Sequence, residues 1–433
     1  MLDKFFKIIE KITPVKYRWI LNHDGFKRYF ANTGWMFFGQ MFSLLVSFFI
    51  GAWIARYLGP ENYGVMSYAI AFVGLFSFIS SLGIDGIVSR ELVKFPEKRD
   101  ELLGTAFRLK LIGGIIATLF TVACAFLFQF NSLIKLLIIL FTIPFVFQSL
   151  NIISIYFQAE VKSKNNVKAL LVATLISSVL KILVILFDRG VIWLIAVYAL
   201  DSLWQGIGFV VAYKNYGLKI KNWHLNKTLA WKILKNSWPI MLASAAGFVY
   251  LKIDQVIIGY MLGNREVGLY AAAVKLVEVG YFIPAIICTS LFPAIVNAKK
   301  IGPHVYKDRL NKFYLLMIVI SFIIAVPFTF LAKPIIYILF GIGYLGSVII
   351  LKVYIWSSFG LFLGWAVTQY LMTENLVKTI FWLNFLAMVT NIILNLVFIP
   401  RFGLSGAALA TLISYLVLPT MVFIGDKFWK KVG

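Results

Sequence analysis

The 433-residue chain is 61% hydrophobic and only 14% charged, a composition that excludes a soluble globular domain. Its 41 Lys and Arg against 18 Asp and Glu leave a formal net charge of +23. These charges flank long apolar runs such as Ile112–Phe128 and Leu315–Leu331, whose length matches a helix crossing a hydrocarbon core about 30 Å thick. A membrane β-barrel would instead alternate polarity over segments of about ten residues, a pattern this sequence lacks.

In chain order, residues 1–28 form a cytoplasmic basic tail with seven Lys and Arg and no cleavable apolar core, so it does not read as a secretory signal. Phe5, Ile8, Ile9 and Ile12 fall on one helical face and Lys4, Lys7 and Lys11 on the other, which suits either a short interfacial helix or a solvated tail. Apolar runs then predict spans at 31–57, 62–86, 105–128, 133–157, 167–187, 190–213, 236–262, 267–296, 313–331, 346–371, 376–399 and 403–425. The stretch Pro334–Tyr344 is too short to cross and reads as a re-entrant or interfacial piece. Cys124 and Cys288 sit inside apolar runs, where thiols are inert. His23, His224 and His304 lie in basic loops with no partner at metal-ligand spacing. No cofactor is called for: no phosphate-binding G-x-x-x-x-G-K-[ST] loop occurs, and no connection is long enough for a soluble domain.

With the amino terminus inside, 31 of the 41 basic residues fall on the cytoplasmic side and six outside: Arg56, Lys135, Arg189, Arg265, Lys333 and Arg401. This bias orients both termini toward the cytoplasm. It also accounts for the net charge by topology and attraction to anionic membrane lipid, without invoking nucleic acid.

The chain repeats itself. Leu58–Gly64 (LGPENYG) closes the first span and Leu262–Gly268 (LGNREVG) the seventh, each at the same distance from an Asn, Asn32 or Asn236. Tyr156, Glu160 and Lys164 are echoed more weakly by Tyr370, Glu374 and Lys378. Six intervening spans keep the copies in the same orientation, so the halves are parallel and related by an axis along the membrane normal. The expected fold is an all-α polytopic membrane protein of about twelve transmembrane helices, in two parallel six-helix bundles around a central cavity. The expected units are an N-terminal bundle at 29–216, a linker at 217–230 and a C-terminal bundle at 231–433. Gly59, Gly64, Gly263 and Gly268 read as tight turns between antiparallel helices.

The segments Ala55–Gly64 (ARYLGPENYG), Asp254–Gly259 (DQVIIG), Val267–Ala271 (VGLYA), Lys275–Glu278 (KLVE), Phe292-Pro293 and Phe402–Ala407 (FGLSGA) carry a resemblance. In their order and spacing the chain resembles the polysaccharide flippases of the multidrug/oligosaccharidyl-lipid/polysaccharide exporter superfamily. The resemblance implies translocation of undecaprenyl-diphosphate-linked oligosaccharides by alternating access, in a bacterial or archaeal cytoplasmic membrane. A polysaccharide polymerase is an implied partner and H⁺ or Na⁺ an implied coupling ion. Lipid II flippases of the superfamily carry two further spans not found here, which favours O-antigen, capsule or exopolysaccharide units.

Ionisable groups at mid-bilayer are costly and mark candidate sites. Lys181, Lys252 and Lys352 lack obvious partners in the sequence and are expected to meet the anionic diphosphate in the cavity. Lys275 and Glu278, three apart, share a face and are read either as a cavity site or as an ion pair. Asn391 and Asn395 share a face that could line a wet groove or hydrogen-bond a neighbour. Arg56 either snorkels or contacts ligand. Asp254, Glu278, Asp201 and Asp85 are candidates for ion coupling or for structural ion pairs. A cationic-drug antiporter is the alternative reading, though intramembrane lysines are as numerous as carboxylates and suit an anionic substrate better. A membrane enzyme would need a sizeable outer loop for its chemistry, and none is present.

Overall fold

The computed structural model describes residues 24–128 and 130–432, with side chains over 32–128 and 130–425. The interfacial-helix reading of residues 4–12 lies outside the described residues. With no water in a bilayer core, each segment must satisfy its own backbone groups, and a chain this apolar does so as helix. The first half comprises α1 (Asp24–Gly74), α2 (Ser77–Ser81), α3 (Asp85–Lys94), α4 (Arg99–Leu127), α5 (Ser132–Phe147), α6 (Ile152–Ala159), α7 (Ser163–Leu186) and α8 (Gly190–Asn215). The second comprises α9 (Lys227–Met261), α10 (Asn264–Gly280), α11 (Phe282–Ile301), α12 (Pro303–Phe330), α13 (Ala332–Phe340), α14 (Ser347–Tyr354), α15 (Ser357–Thr373) and α16 (Val377–Val432).

Ten helical segments among the described residues are long and apolar enough to cross a membrane. Two of them, Asn32–Gly74 and Val377–Gly425, are broken internally at Gly59 (φ 68°) and Gly403 (φ 57°). Glycine takes these left-handed angles without steric cost, and Pro60 beside the first break removes a helical donor. Each break separates two spans, which gives the twelve. The second span does not run unbroken to residue 86. It bends after Gly74 and again at Leu82 and Gly83, both with positive φ, where Gly83 lies against the backbone of Ser237 and Met241. The piece read as re-entrant is α13, a nine-residue helix followed by a 3-10 turn at Ile342–Tyr344.

Within the first half, α1 packs on α7 through Gly39 against Val167 and a 3.0 Å bond between Ser43 and Thr174. Gly114 of α4 lies against the backbone of α5 at Phe145. The second half repeats this small-residue packing where Gly360 of α15 meets the backbone of Tyr415 in α16. Close backbone approach of this kind drives helix association in lipid.

The two halves join most tightly at the face bearing the 59–61 and 262–264 turns. There, an added Cβ on Gly64 would strike Asn264 O, and one on Gly268 would strike Pro60 O. The two copies of the repeat thus bind each other in a reciprocal contact. Tyr344 seals the same face, donating to Ala55 O at 2.6 Å and setting its ring edge-on to Tyr63 at 6.2 Å. At the face bearing the 216–226 linker, contact between halves includes α9 against α2, α3 and α4.

Candidate substrate cavity

α1, α7 and α8 wall a polar space inside the first half. Helical register explains the wall: Gln40, Ser47 and Ile50 of α1 lie close to multiples of a turn apart, as do Asn166, Thr174, Ser177 and Lys181 of α7 and Gln205 and Asp201 of α8. The space comprises a cavity of 290 Å³ toward the linker face and one of 110 Å³ deeper in, with Gln205 lining both.

Two ion pairs stand at mid-depth. Lys181 Nζ meets Asp201 Oδ2 at 2.7 Å and lies 3.6 Å from the centroid of the Tyr198 ring, while Ser177 also donates to Asp201. Lys252 Nζ meets Glu278 Oε1 at 2.7 Å, from α9 to α10. Both pairings correct the sequence expectation that these lysines are unpartnered. Lys181–Asp201 bridges residues 20 apart and Lys252–Glu278 residues 26 apart, separations that only helix packing brings together. The expected Lys275–Glu278 pair is not formed, because Glu278 turns to Lys252. Lys275 is therefore left without an ion-pair partner among the described residues. Its ammonium crosses from α10 to lie over Gly51 of α1, where any Cβ would collide with it. Ile50, the neighbour of Gly51, lines the deeper cavity, and Glu278, Lys181 and Lys252 are all within electrostatic reach of Lys275. Three lysines from both halves thus share two carboxylates.

The remaining candidates lie elsewhere. Asp254 is buried, accepts from Tyr270 Oη at 2.5 Å and from its own helix at Gln255 N, and Thr411 stands 3.4 Å from the same hydroxyl. Lys252 and Asp254 do face different neighbours, as two residues' separation on a helix requires. Asp85 pairs with the buried Lys110 at 2.5 Å and lines the larger cavity. Asn391 and Asn395 are fully buried, and Asn395 Nδ2 donates to Asn391 O and Oδ1 at 2.9 and 3.0 Å. Of the two expectations, burial sets aside the wet groove and leaves hydrogen bonding within the bundle. Arg56 is exposed at the turn face, in a separate 240 Å³ cleft formed with Gly59, Pro60 and residues 340–344. Lys352 is exposed on α14 and has no ion-pair partner among the described residues.

Sequence reading passed over the amides. Gln40, Asn151, Asn166 and Gln205 lie far apart in the sequence, and their common cavity emerges only when α1, α7, α8 and the 3-10 turn at Gln148–Asn151 are packed. The available signal was the helical spacing of polar residues in α1 and α7.

A family model described as polysaccharide biosynthesis protein matches residues 29–299. No curated sequence relative matches the chain. Among solved structures, an inward-facing multidrug resistance MATE family transporter of the MOP superfamily superposes with a TM-score of 0.75 at 14% identity, over 90% of this chain and 95% of that one. An outward-facing structure described in the same terms gives 0.64 at 15% identity, over 95% and 97%. The lipid II flippase MurJ in an inward closed conformation gives 0.71 at 16% identity, over 90% and 87%. These likenesses establish the fold.

Proposed function

Because the chain belongs to the polysaccharide biosynthesis protein family, and has the fold of MOP-superfamily transporters, we propose that it moves lipid-linked oligosaccharides across the cytoplasmic membrane. The substrate is an undecaprenyl-diphosphate-linked unit for O-antigen, capsule or exopolysaccharide synthesis, entering from the face that bears both termini. The observation that carries this reading is Lys275. An ammonium at the junction of the halves with no carboxylate within ion-pair distance among the described residues is expensive to keep in a membrane protein, and a diphosphate offers it strong charge-assisted acceptors.

Alternating access follows from the same geometry. The reciprocal Gly64–Gly268 contact closes the outer face, and its opening separates Lys275 from Gly51, loosening the hold on the diphosphate as the outer leaflet becomes reachable. Asp254, buried beside the hydroxyls of Tyr270 and Thr411, is the group best placed to couple H⁺ or Na⁺ to this motion. A polymerase in the same membrane would consume the delivered unit.

Reconstitution into liposomes tests the function. A fluorescent undecaprenyl-diphosphate-linked sugar should reach the opposite leaflet with wild-type protein and not with Lys275→Ala of equal abundance. Export of ethidium, with no movement of the sugar lipid, would reject the flippase in favour of the drug antiporter.

A further inference from the structure

Resting on the flippase reading, we infer that the sugar adjoining the diphosphate is bound by the first half alone, in the amide-lined space between α1, α7 and α8. The diphosphate end of the site is Lys275 above Gly51. From there the walls run past Ile50, Ser47 and the Lys181–Asp201 pair to Gln205, and on to Gln40, Asn151 and Asn166 toward the linker face. The cavities of 290 and 110 Å³ together reach the lower end of the range for small-ligand sites, about 300–1,000 Å³.

The polar atoms are placed for a ligand. Asn166 is only 8% exposed, and its Nδ2 donates to Ser154 O at 2.8 Å, yet its Oδ1 has no partner in the protein. Asn151 Oδ1, lining the same cavity, is likewise unpartnered. Gln40 and Gln205 form no hydrogen bond among the described residues. The buried, unpartnered oxygens of Asn151 and Asn166 are costly, while the exposed Gln40 and half-buried Gln205 present donors and an acceptor together to the same space.

The charge balance narrows the ligand class. The carboxylates on these walls, Asp85 and Asp201, are each held by a lysine, so the space offers no bare negative charge to attract a cationic drug. An apolar guest would leave the amides unsatisfied. A neutral polyhydroxyl ring, whose hydroxyls both donate and accept, satisfies them, and an N-acetyl group adds a further acceptor and donor.

The test uses full-length protein in lipid nanodiscs. The probes are farnesyl diphosphate and farnesyl diphosphate bearing N-acetylglucosamine, glucose or galactose, with affinities measured by calorimetry. At least one sugar-bearing probe should bind wild type roughly tenfold more tightly than farnesyl diphosphate, the effect of one or two hydrogen bonds. Gln40→Ala and Gln205→Leu should erase that difference while leaving farnesyl diphosphate affinity and the melting temperature unchanged. Lys275→Ala should weaken all the probes. If no sugar adds affinity, or the difference survives in both amide variants, or these variants weaken all probes alike, the sugar site is wrong while the flippase reading stands. Wild-type protein that binds none of the probes would overturn both.

Discussion

The two halves share a plan and differ in what fills them. In the first, α1, α7 and α8 stand around hydroxyls, amides and an ion pair, with room between them. In the second, tyrosines occupy the corresponding depth. Tyr354 and Tyr415 are 1% exposed and Tyr270 fully buried, Tyr250 and Tyr415 lie with ring centroids 4.6 Å apart, and Tyr270 closes over Asp254. Where the halves must meet, the repeat is kept in step, Gly64 serving one copy as Gly268 serves the other. The repeat thus keeps the turns and close crossings at which the halves meet, while the interiors are filled differently. On the proposed reading, the first half would receive polar substrate and the second would supply a rigid body to rock against.

The largest expected effect tests the rigidity of the second half. Tyr415→Ala should cost roughly 3–5 kcal/mol, the range for deleting a packed aromatic side chain, visible as a lowered melting temperature in detergent. Gln205→Ala on the open wall of the first half should stay within about 0.5 kcal/mol of wild type, as surface substitutions do. Equal losses in the two variants would mean the first half is packed as tightly as the second.

Next in size is the ion pair of the first half. Lys181→Ala strands Asp201, and breaking a buried pair costs roughly 3–5 kcal/mol. Asp201 is a third exposed and keeps the Ser177 hydroxyl, so the loss should fall below that range. The double variant Lys181→Met/Asp201→Leu should recover most of the stability, because paired removal of buried charges is often neutral. If the double variant also recovers transport, the pair only holds helices together. If it is stable but inactive, the pair serves the substrate.

How much of this was legible in the sequence depended on whether a property is local. The spans and the breaks at Gly59 and Gly403 follow from apolar run length and from glycine with proline nearby, Pro60 next to Gly59 and Pro400 three residues before Gly403, all readable along one segment. Helical register also gave the divergence of Lys252 from Asp254. Partner choice across helices was not readable. Glu278 is one turn from Lys275 in sequence yet bonds Lys252 of α9, because helix rotation and crossing, absent from any single span, decide which side chains face. The amides of the first half were missed for the same reason.

A smaller effect is expected at the contact between the two copies of the turn, and it should be the same in both halves. Gly64→Ala and Gly268→Ala each place a methyl against a backbone carbonyl of the other half, so both should bias the protein toward the outward-open state. A cysteine introduced at Tyr63, which is 3% exposed, should then react with an impermeant maleimide severalfold faster in either glycine variant. Acceleration in only one variant would show that the two copies of the turn do not act as a reciprocal pair.

The smallest effect is predicted at Lys352, and it bears on whether the division of labour is complete. By sequence Lys352 is as good a diphosphate ligand as Lys181 or Lys252, a cation inside an apolar span. In the structure it is exposed on α14 beside the buried Ile350 and Leu351, outside the cluster of Lys181, Lys252 and Lys275. An exposed lysine can extend its stem along apolar surface and carry its charge to water or lipid headgroups, and replacing it removes no pair. Lys352→Gln should therefore change stability by less than about 0.5 kcal/mol and leave the initial rate of sugar-lipid flipping in liposomes near that of wild type. A tenfold loss with normal stability would place part of the substrate's path on the second half, and the assignment of polar recognition to the first half alone would have to be abandoned.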